Sequence, residues 1–418
     1  MIRVKQALTI ILKSIRPLGR EQVDLSNGLD RIISFDVRAK CKLPPFDNSA
    51  MDGYALRAKD TKGASKVEPR VLQVIEDVPA GYTAKNKIRD NQAIRIMTGA
   101  AFPSGADSVV MVEFTKRVKR NKKSYPEEVE IYKETKLSEN VRRAGEDVKK
   151  GQRVLSRGCI LRPQELGMLA ALGINRIDVA KRPRVGILAT GDELVPVQGK
   201  LGKGKIRNSN SFILRAQISK CGGIPIDLGI ARDKRRELRS KITTGLKKKL
   251  DLLLVLGGIS VGDYDLVKDV LFELGMKMKF WRVAMRPGKP LAFGFIKGIP
   301  VFGLPGNPVS STISFEEFVR PALLKMQGAK NLFRPRVWAT LTEDLQKKKN
   351  LRYFIRAKVK IKNGKFYVSS TGAQGSGIIN SLVLADGIIV APEGLELLKQ
   401  GQMISVQLLR QGYDGGVI

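Results

Sequence analysis

The chain has 418 residues, a formal net charge of +35 from 75 Lys and Arg against 40 Asp and Glu, and no histidine. At this length two to four domains are expected, because single hydrophobic cores usually stop growing at ~250–300 residues. The charge favours anionic partners such as phosphates, oxyanions, nucleic acid or acidic lipid surfaces. The lack of histidine removes the commonest general base and zinc ligand, so any chemistry must use carboxylates, hydroxyls, lysines, arginines, backbone amides or a metal held by oxygen.

Cysteine spacing and hydropathy indicate the cellular location of the protein and the kinds of site it can contain. Cys41, Cys159 and Cys221 lie far apart without CxxC spacing, so neither a disulfide framework nor a thiolate zinc site is expected, and a cytoplasmic location is favoured. No apolar run approaches the ~20 residues that span a bilayer, so no membrane partner is expected. The opening segment IRVKQALTIILKSI has the apolar period of an amphipathic helix and is a poor signal peptide.

The first 180 residues predict a β-rich module inserted into a smaller mixed one. Short β-like runs separated by Gly, Pro and Asn fill residues 40–140. Residues 141–180 return to a hairpin-like pattern and a helix, with Pro163 near its start and Gly173 near its end. We expect this stretch to pair with residues 1–39, which makes 40–140 an insertion.

Residues 181–328 change to apolar strands that alternate with helices, the pattern of a doubly wound α/β domain with a parallel sheet. Three strands stand out, at 185–190, 250–256 and 299–304. Residues 329–418 return to short strands with Gly-containing turns, which predict a small C-terminal β domain. The fold class is therefore an α/β and β multidomain protein.

Each of the three strands is followed by a polar loop, and ligands of doubly wound sheets bind outside the carboxyl ends of the strands. TGDEL follows the first strand and supplies Asp192 and Glu193, which can ligate a hard cation or act as acid and base. An N-cap and a solvated turn explain the same two residues equally well. The convergence of three loops on one edge carries more weight than any one loop.

The second loop, GGISVGDYD, has more polar residues than a turn needs. Asp265 is placed to cap the following helix, which leaves Ser260 and Asp263 without a structural role. The two leading glycines let the backbone approach a ligand closely. Two acids here would hold Mg²⁺, with waters and substrate oxygens completing its shell. A structural role explains one aspartate well and two less well, so a functional role is favoured.

The third loop, LPGNPVSST, predicts a helix with Asn307 as N-cap and Pro308 as its first residue. The free amides and the hydroxyls of Ser310 and Ser311 are then expected to face a docked anion. A PGxP turn also occurs in many loops with a purely structural role.

A constrained cationic turn lies upstream of the third loop. AMRPGKPLAFG holds Arg286 and Lys289 between prolines and a glycine. A fixed cation beside a helix N-terminus suits phosphate or another oxyanion, so these two side chains are candidates for binding one.

Eight segments together resemble the MoeA family of molybdopterin molybdenumtransferases, which includes the E domain of gephyrin. They occur in the family's order across nearly the whole chain: PPFDNSAMDGYAL, RIMTGAAFPSGADSVVMVE, RRAGEDVKKGQ, RPRVGILATGDELV, GKIRNSNSFIL, LGGISVGDYD, VAMRPGKPLAFG and LPGNPVSS. The resemblance implies an elongated four-domain homodimer with a MogA-like α/β domain and a small C-terminal β-barrel-like domain. Its active cleft would lie between the α/β domain of one subunit and the β-rich domain of the other. It also implies Mg²⁺-dependent insertion of molybdate into adenylylated molybdopterin, with release of AMP.

The resemblance also assigns roles by matching position. Asp52 of MDGYA and Thr98 of MTGA would reach into the cleft from the β-rich domain. The acids expected around Mg²⁺ and the phosphoanhydride are Glu193, Asp233 and Asp265, with Asp192 and Asp263 as neighbours. Pro305 and Pro308 would shape the LPGNP loop. The remaining substrate-binding candidates rest on the chemistry of the loops: Ser260, Arg286, Lys289, Asn307 and Ser310.

Three other functions compete with this one. Molybdopterin adenylyltransferases share the α/β domain and its GGxSxG-type loop, but the extra β domains and MDGYA favour molybdenum insertion. The charge allows nucleic-acid binding, yet the cationic runs TKRVKRNKK and ARDKRRELRSKITTGLKKK lack interleaved aromatics, so nucleic acid is disfavoured. A gephyrin-like scaffold gains no support from a chain without a fused partner domain. The expected partners are a second copy, small anionic substrates and, transiently, the adenylyltransferase and acceptor molybdoenzymes.

Overall fold

The computed structural model describes residues 1–118, 128–258 and 266–409. Three predicted site residues lie outside these ranges: Ser260, Asp263 and Asp265. The described chain contains separate β-rich, α/β and β-barrel sheets, which confirms the predicted fold class.

An amphipathic helix, α1 (Val4–Ser14), begins the chain. Its buried residues Val4, Ala7 and Ile11 follow the predicted helical period. They pack in the same core as the central strands of the α/β domain. Although the sequence groups residues 1–39 with the N-terminal mixed module, the first helix therefore shares the α/β core.

Strand pairing joins the two ends of the N-terminal module. The described strands of the first 180 residues are β1 (Arg20–Asp24), β2 (Val37–Arg38), β3 (Asn48–Ser49), β4 (Gly53–Leu56), β5 (Arg70–Val78), β6 (Gln92–Ile96), β7 (Ser108–Met111), β8 (Thr115–Arg117), β9 (Glu128–Ile131), β10 (Val141–Arg142), β11 (Arg153–Leu155) and β12 (Arg176–Ala180). Strand β1 pairs antiparallel with β12, and β2 with β11. Helix α2 (Pro163–Ala171) precedes β12. The segments that flank residues 40–140 therefore pair with each other, as predicted.

The inserted segment forms a six-stranded sheet in the order β7-β4-β6-β5-β9-β8. Successive side chains of a strand point to opposite faces. Accordingly Tyr54 and Leu56 of β4 pack in one apolar cluster, and Ala55 packs in another. Both faces of this sheet are therefore covered, which fixes the loops at its ends.

The α/β domain alternates strands and helices as its sequence predicts. Its strands are β13 (Arg184–Thr190), β14 (Leu194–Val195), β15 (Ile206–Arg207), β16 (Ile224–Ala231), β17 (Leu252–Leu256), β18 (Lys277–Arg282), β19 (Met285–Arg286), β20 (Pro290–Ile296) and β21 (Ile299–Leu304). Its helices are α3 (Ser209–Lys220), α4 (Arg235–Leu246), α5 (Leu266–Glu273), α6 (Pro308–Ser314) and α7 (Arg320–Met326).

The main sheet of this domain has the order β16-β13-β17-β21-β20-β18. The first four strands are parallel, β20 runs antiparallel to them, and β18 pairs antiparallel with β20. Leu252 and Leu254 pack on one face of the sheet, whereas Leu253 and Val255 pack on the other, so the domain is doubly wound. Strand β16, the next strand of this sheet along the chain, lies on one side of β13, and β17 lies on the other. This reversal creates a topological switch point between β13 and β17.

The C-terminal domain is a closed barrel. Its strands are β22 (Arg336–Leu341), β23 (Leu345–Gln346), β24 (Arg352–Lys362), β25 (Lys365–Ser370), β26 (Gly387–Ala391), β27 (Leu397–Leu398) and β28 (Met403–Leu408), with the short helix α8 (Asn380–Val383). The ring β24-β25-β22-β28-β26 closes because β26 also pairs with β24. Tyr353 and Ile355 fill the barrel, whereas Phe354 between them packs into the α/β core. The barrel therefore lies directly against the α/β domain.

Two acids lie in the π-helical turn (Phe315–Val319) that follows α6, the buried Glu316 and the half-buried Glu317. Glu316 accepts hydrogen bonds from Arg334 Nε at 2.6 Å and Nη2 at 3.0 Å. The neighbouring Glu317 has its Oε1 enclosed, without a hydrogen-bond partner in the described chain. Burial raises the pKa of Glu317 to about 7, against the opposing effect of Arg336 in the barrel. Glu316 is thus neutralised by an ion pair, and Glu317 by holding its proton.

This raised pKa predicts a pH-dependent stability. The folded protein binds the Glu317 proton more tightly than the unfolded chain, so stability falls as the pH rises from 4.5 to about 7. Glu317→Gln cannot ionise, and we expect it to raise Tm relative to wild type by a few degrees more at about pH 8 than at about pH 4. Scanning calorimetry measures this, with the exposed Glu68→Gln as control. An equal Tm difference at both pH values would contradict the prediction.

Candidate active site

A cavity of about 690 Å³ lies at the carboxyl ends of the three central strands β13, β17 and β21. It is beside the switch point, where doubly wound sheets bind their ligands. The predicted residues that line it come from the first and third loops and from the turn before α4: Glu193, Asp233, Pro305, Asn307, Pro308 and Ser310. The second loop contributes Gly257 and Gly258. The expected convergence of the three loops is therefore present in the structure.

The first loop presents its acids through a tightly folded backbone. Asp192 Oδ1 accepts the amide hydrogen of Asp233 at 3.2 Å, and Asp233 Oδ2 accepts that of Asp192 at 3.3 Å. This reciprocal pair ties the loop after β13 to the loop after β16. Glu193 folds back over Gly191, where a Cβ would lie 2.4 Å from Glu193 Oε2. Glycine is therefore required for the Glu193 carboxylate to occupy this position.

The second loop begins where two backbones come into contact. Gly257 has a φ of +87°, and a Cβ there would lie 2.7 Å from the carbonyl oxygen of Thr190. Thr190 Oγ1 donates a hydrogen bond to the Leu256 carbonyl at 3.0 Å. Gly258 has a φ of +62°, and a Cβ there would meet Val267 Cγ2 at 2.3 Å. Larger residues at either glycine would push the first two loops apart.

The third loop matches its prediction in position but not in every contact. Asn307 is the N-cap residue of α6 and Pro308 is its first residue, yet the Asn307 side chain makes no cap hydrogen bond. Ser311 was expected to face a ligand, but it is buried and its hydroxyl donates to the Pro308 carbonyl at 3.0 Å. The reason is that this short helix satisfies its own backbone carbonyls. Ser310 lines the cavity, whereas Ser311 does not.

Two asparagines of the RNSN stretch, which the sequence did not single out as site residues, complete this wall. Asn208 caps α3 by accepting the amide hydrogen of Ser211 at 3.2 Å. Asn210 Nδ2 donates to the carbonyl of Gly306 at 2.6 Å. The start of α3 is thereby attached to the third loop. Asn208, a favoured N-cap residue at the start of a helix, was the sequence signal that could have indicated it.

Asp52 and Thr98 lie together in the inserted domain. The start of β4 faces the end of β6, since Gly53 pairs with Ile96 in antiparallel register. Asp52 Oδ1 accepts hydrogen bonds from both the amide and the hydroxyl of Thr98, each at 2.7 Å. These two bonds hold the pKa of Asp52 below its usual value, and the bond from the amide has the larger effect. Neither residue lines the cavity of the α/β domain within one chain.

The structure places the cationic turn elsewhere than expected. Arg286 lines a second cavity, of about 520 Å³, between the α/β domain and the barrel. Lys289 is exposed and lines neither cavity. The turn does pack against α6, because a Cβ at Gly288 would lie 2.7 Å from Ser314 Oγ. The two cations therefore flank the third loop without facing the first cavity.

Comparison with known proteins identifies the family. Family models match in chain order: the MoeA N-terminal region (domain I and II) at residues 2–173, a probable molybdopterin binding domain at 186–325, and the MoeA C-terminal region (domain IV) at 339–409. A molybdopterin molybdenumtransferase of Bacillus subtilis (strain 168) is 35% identical over 391 residues, which cover 94% of this chain and 90% of that protein. The chain belongs to the MoeA family.

Further MoeA-family relatives agree over the whole length. A molybdopterin molybdenumtransferase of Staphylococcus aureus (strain COL) is 34% identical, with 97% of this chain and 95% of that protein covered. The crystal structure of a molybdopterin biosynthesis MoeA protein from Pyrococcus horikoshii OT3 superposes with a TM-score of 0.82 at 33% identity, covering 98% of this chain and 100% of the other. The predicted family is confirmed, and with it an enzyme of molybdenum cofactor biosynthesis.

One residue of this MoeA-family chain that the sequence did not indicate is Arg356. Only 1% of its surface is exposed. Its guanidinium donates to Ser381 Oγ at 3.1 Å and to the Gly375 carbonyl at 3.2 Å, and no carboxylate pairs with it in the described ranges. Burial lowers the pKa of Arg356 to about 10, which still leaves it charged at neutral pH. A buried cation with neutral partners at the wall of a cavity is suited to binding an anion.

Two further findings on the described parts of the MoeA-family chain concern metal binding and membrane-spanning helices. They contain no group of three or more His, Cys, Asp or Glu arranged to hold a metal ion. They also contain no helix that is both long and apolar enough to cross a membrane.

The Asp52–Thr98 contact predicts a measurable pKa change. Thr98→Val removes the hydroxyl donor and keeps the amide donor, so we expect the pKa of Asp52 to rise part of the way to its usual value. Carboxyl-detected NMR titration of wild type and variant measures this, with Thr115→Val as control because its hydroxyl donates to a backbone carbonyl instead. An unchanged Asp52 titration would mean that the hydroxyl does not stabilise the carboxylate.

Proposed function

We propose that this MoeA-family chain is a molybdopterin molybdenumtransferase that inserts molybdate into adenylylated molybdopterin in a Mg²⁺-dependent reaction and releases AMP. The observation that carries the proposal is the cavity at the switch point, with Glu193 and Asp233 at the loop ends. A second, cationic cavity beside the first supports it, because the reaction needs a nucleotide-like substrate and a separate oxyanion.

Adenylylated molybdopterin would bind in the first cavity. Gly257 and Gly258 carry no side chains that would keep a substrate from the backbone. Asn208 and Asn210 fix the wall formed by the start of α3. Cleavage of the phosphoanhydride breaks one P–O bond, water supplies the new oxygen, and AMP leaves as a phosphate monoester. Glu193, the first-loop acid that lines this cavity, is the candidate to orient that water.

The acids at the rim fit a hard cation in their donor chemistry. Asp192 and Asp233 each use one carboxylate oxygen for the other's amide, which leaves the second oxygen available. Mg²⁺ typically takes one or two carboxylates and completes its shell with waters and substrate phosphates. One or two of Asp192, Asp233 and Glu193 would therefore hold it, with Asp263 and Asp265, beyond the described ranges, as the other candidates. When bound, Mg²⁺ would neutralise charge on the phosphoanhydride.

Molybdate would bind in the second cavity. Arg286, Lys348 and Arg356 line it, and no acidic residue lines it within the described ranges. The loop 374–379 separates the two cavities, since Gln374 and Gly375 line the second while Gly377 and Ile379 line the first. The two substrates would therefore be held on opposite sides of one short loop, which keeps them close enough for transfer.

The Asp52–Thr98 pair is proposed to act in a homodimer. Within one chain it does not line either of these two cavities. A two-fold dimer places a patch of each subunit against the other, so the β-rich domain of one subunit would bring Asp52 to the α/β cavity of its partner. Cytoplasmic location and transient contacts with the adenylyltransferase and acceptor molybdoenzymes belong to the same proposal.

The central experiment incubates purified protein with adenylylated molybdopterin, Mg²⁺ and molybdate, and follows AMP and active cofactor. We expect Glu193→Gln and Asp233→Asn to fold normally but to lose molybdate-dependent AMP release by about 100-fold or more. Glu68→Gln, an exposed acid of the inserted domain, is the matched control. Unchanged AMP release in both site variants would refute the acidic roles. Consumption of ATP without molybdate would indicate adenylyl transfer instead.

Mixed dimers test the shared site. Asp52→Asn and Glu193→Gln subunits are each expected to be inactive alone, since every site lacks one acid. When they are co-expressed with different tags, a mixed dimer has one site with both acids, so an equal mixture should recover about a quarter of wild-type activity. Steady-state AMP release measures it. If both variants are inactive alone, recovery of no activity in the mixture would place Asp52 and Glu193 in the same subunit's site.

A further inference from the structure

A short strand joins the α/β domain to the barrel beside the second cavity. Strand β19 pairs in parallel with β24, and in this register Arg286 lies opposite Tyr353. Both residues line the second cavity. The cation that the α/β domain contributes to this cavity therefore lies next to an aromatic ring that the barrel contributes.

The contacts of Tyr353 involve two cations. The guanidinium carbon of Arg286 lies 5.6 Å from the ring centroid, and Lys347 Nζ lies 5.3 Å from it. Arg286 Nη1 is 3.5 Å from the Tyr353 hydroxyl oxygen, a long contact. That oxygen also accepts the amide hydrogen of Lys348 at 2.9 Å. The hydroxyl is thus fixed by the barrel backbone, and the ring presents its π system to both cations.

The two cations differ in freedom. Lys347 is 8% exposed and its ammonium donates to the backbone carbonyls of Glu393 and Leu395, so it anchors the loop before β24. Arg286 is exposed, and within the described ranges it has no ion pair. A free arginine side chain loses rotamer entropy when it binds an anion. A ring that already limits these rotamers lowers that cost.

We propose that Tyr353 is a positioning residue, whose ring holds the Arg286 guanidinium at the wall of the second cavity, ready for a tetrahedral oxyanion. The inference rests on the proposed function of this cavity in binding molybdate. Tyr353 itself need not touch the oxyanion, since it acts through Arg286. The residue belongs to the barrel core as well, so its test must separate positioning from packing.

The experiment measures molybdate binding to the full-length protein by titration calorimetry. Tyr353→Phe keeps the ring and should bind within about 3-fold of wild type. Tyr353→Met keeps much of the volume but loses the ring, and should weaken binding by about 3- to 30-fold. Arg286→Ala should weaken it at least as much. The double variant should be no weaker than Arg286→Ala alone, because Tyr353 has no effect once Arg286 is absent.

Two controls separate this role from a structural one. Tyr367→Met removes a partly buried tyrosine from the same barrel and should leave molybdate binding unchanged. AMP binding should be equal in all variants, because the first cavity contains neither Arg286 nor Tyr353. Tyr353→Leu serves as a second ring-free variant if Tyr353→Met fails to fold.

The outcomes distinguish the positioning role of Tyr353 from the proposed binding of molybdate in the second cavity. Suppose that wild type binds molybdate and that Arg286→Ala weakens this binding. If Tyr353→Met then binds molybdate like wild type, or if the losses of affinity of the two single variants add in the double variant, Tyr353 does not position Arg286. If wild type binds no molybdate, or Arg286→Ala binds equally well, the assignment of the second cavity falls and the role of Tyr353 falls with it.

Discussion

The ends of β13 and β17 approach each other so closely that only glycine fits between them. A side chain at Gly257 would collide with the backbone of Thr190, and the Thr190 hydroxyl bridges the two strands. Gly306 of the third loop is close enough that its Cβ would meet Gly257 Cα at 3.5 Å. Three chain segments therefore meet through backbone, without intervening side chains. This contact creates a cavity whose walls can approach a phosphorylated ligand.

A second constraint is the packing of the barrel against the α/β domain. Phe354 of β24 packs into the α/β core, and Arg356 two residues later is buried against Gly375 and Ser381. The same interface encloses Glu317 and brings Tyr353 beside Arg286. Because charge is costly to bury, the interface holds each group in a particular state: one acid protonated, one ion-paired, and one arginine charged but bonded only to neutral groups. The first cavity is consequently edged by acids, whereas the second is lined by cations.

Local patterns predicted the elements that depend on local forces. The period of α1, the ends of α2 near Pro163 and Gly173, and the three central strands agree with the structure. The convergence of their loops also followed, because parallel strands necessarily end at one edge of a sheet. Contacts within the third loop were predicted less well. The Asn307 side chain makes no cap bond and Ser311 bonds its own helix, since several acceptors compete for each donor and composition does not rank them.

The sequence by itself determined the fold class, the family resemblance and which loops would meet, because hydrophobic period and glycine placement are encoded residue by residue. Only the tertiary structure decided which cations face a cavity. Strand alternation places Arg356 on the outer face of β24, opposite to Ile355 and Ala357, where sequence alone predicts exposure. Gly375 and Ser381, distant in sequence from Arg356, cover its guanidinium there. Burial between distant segments depends on how two surfaces fit, and no pattern within either segment contains that information.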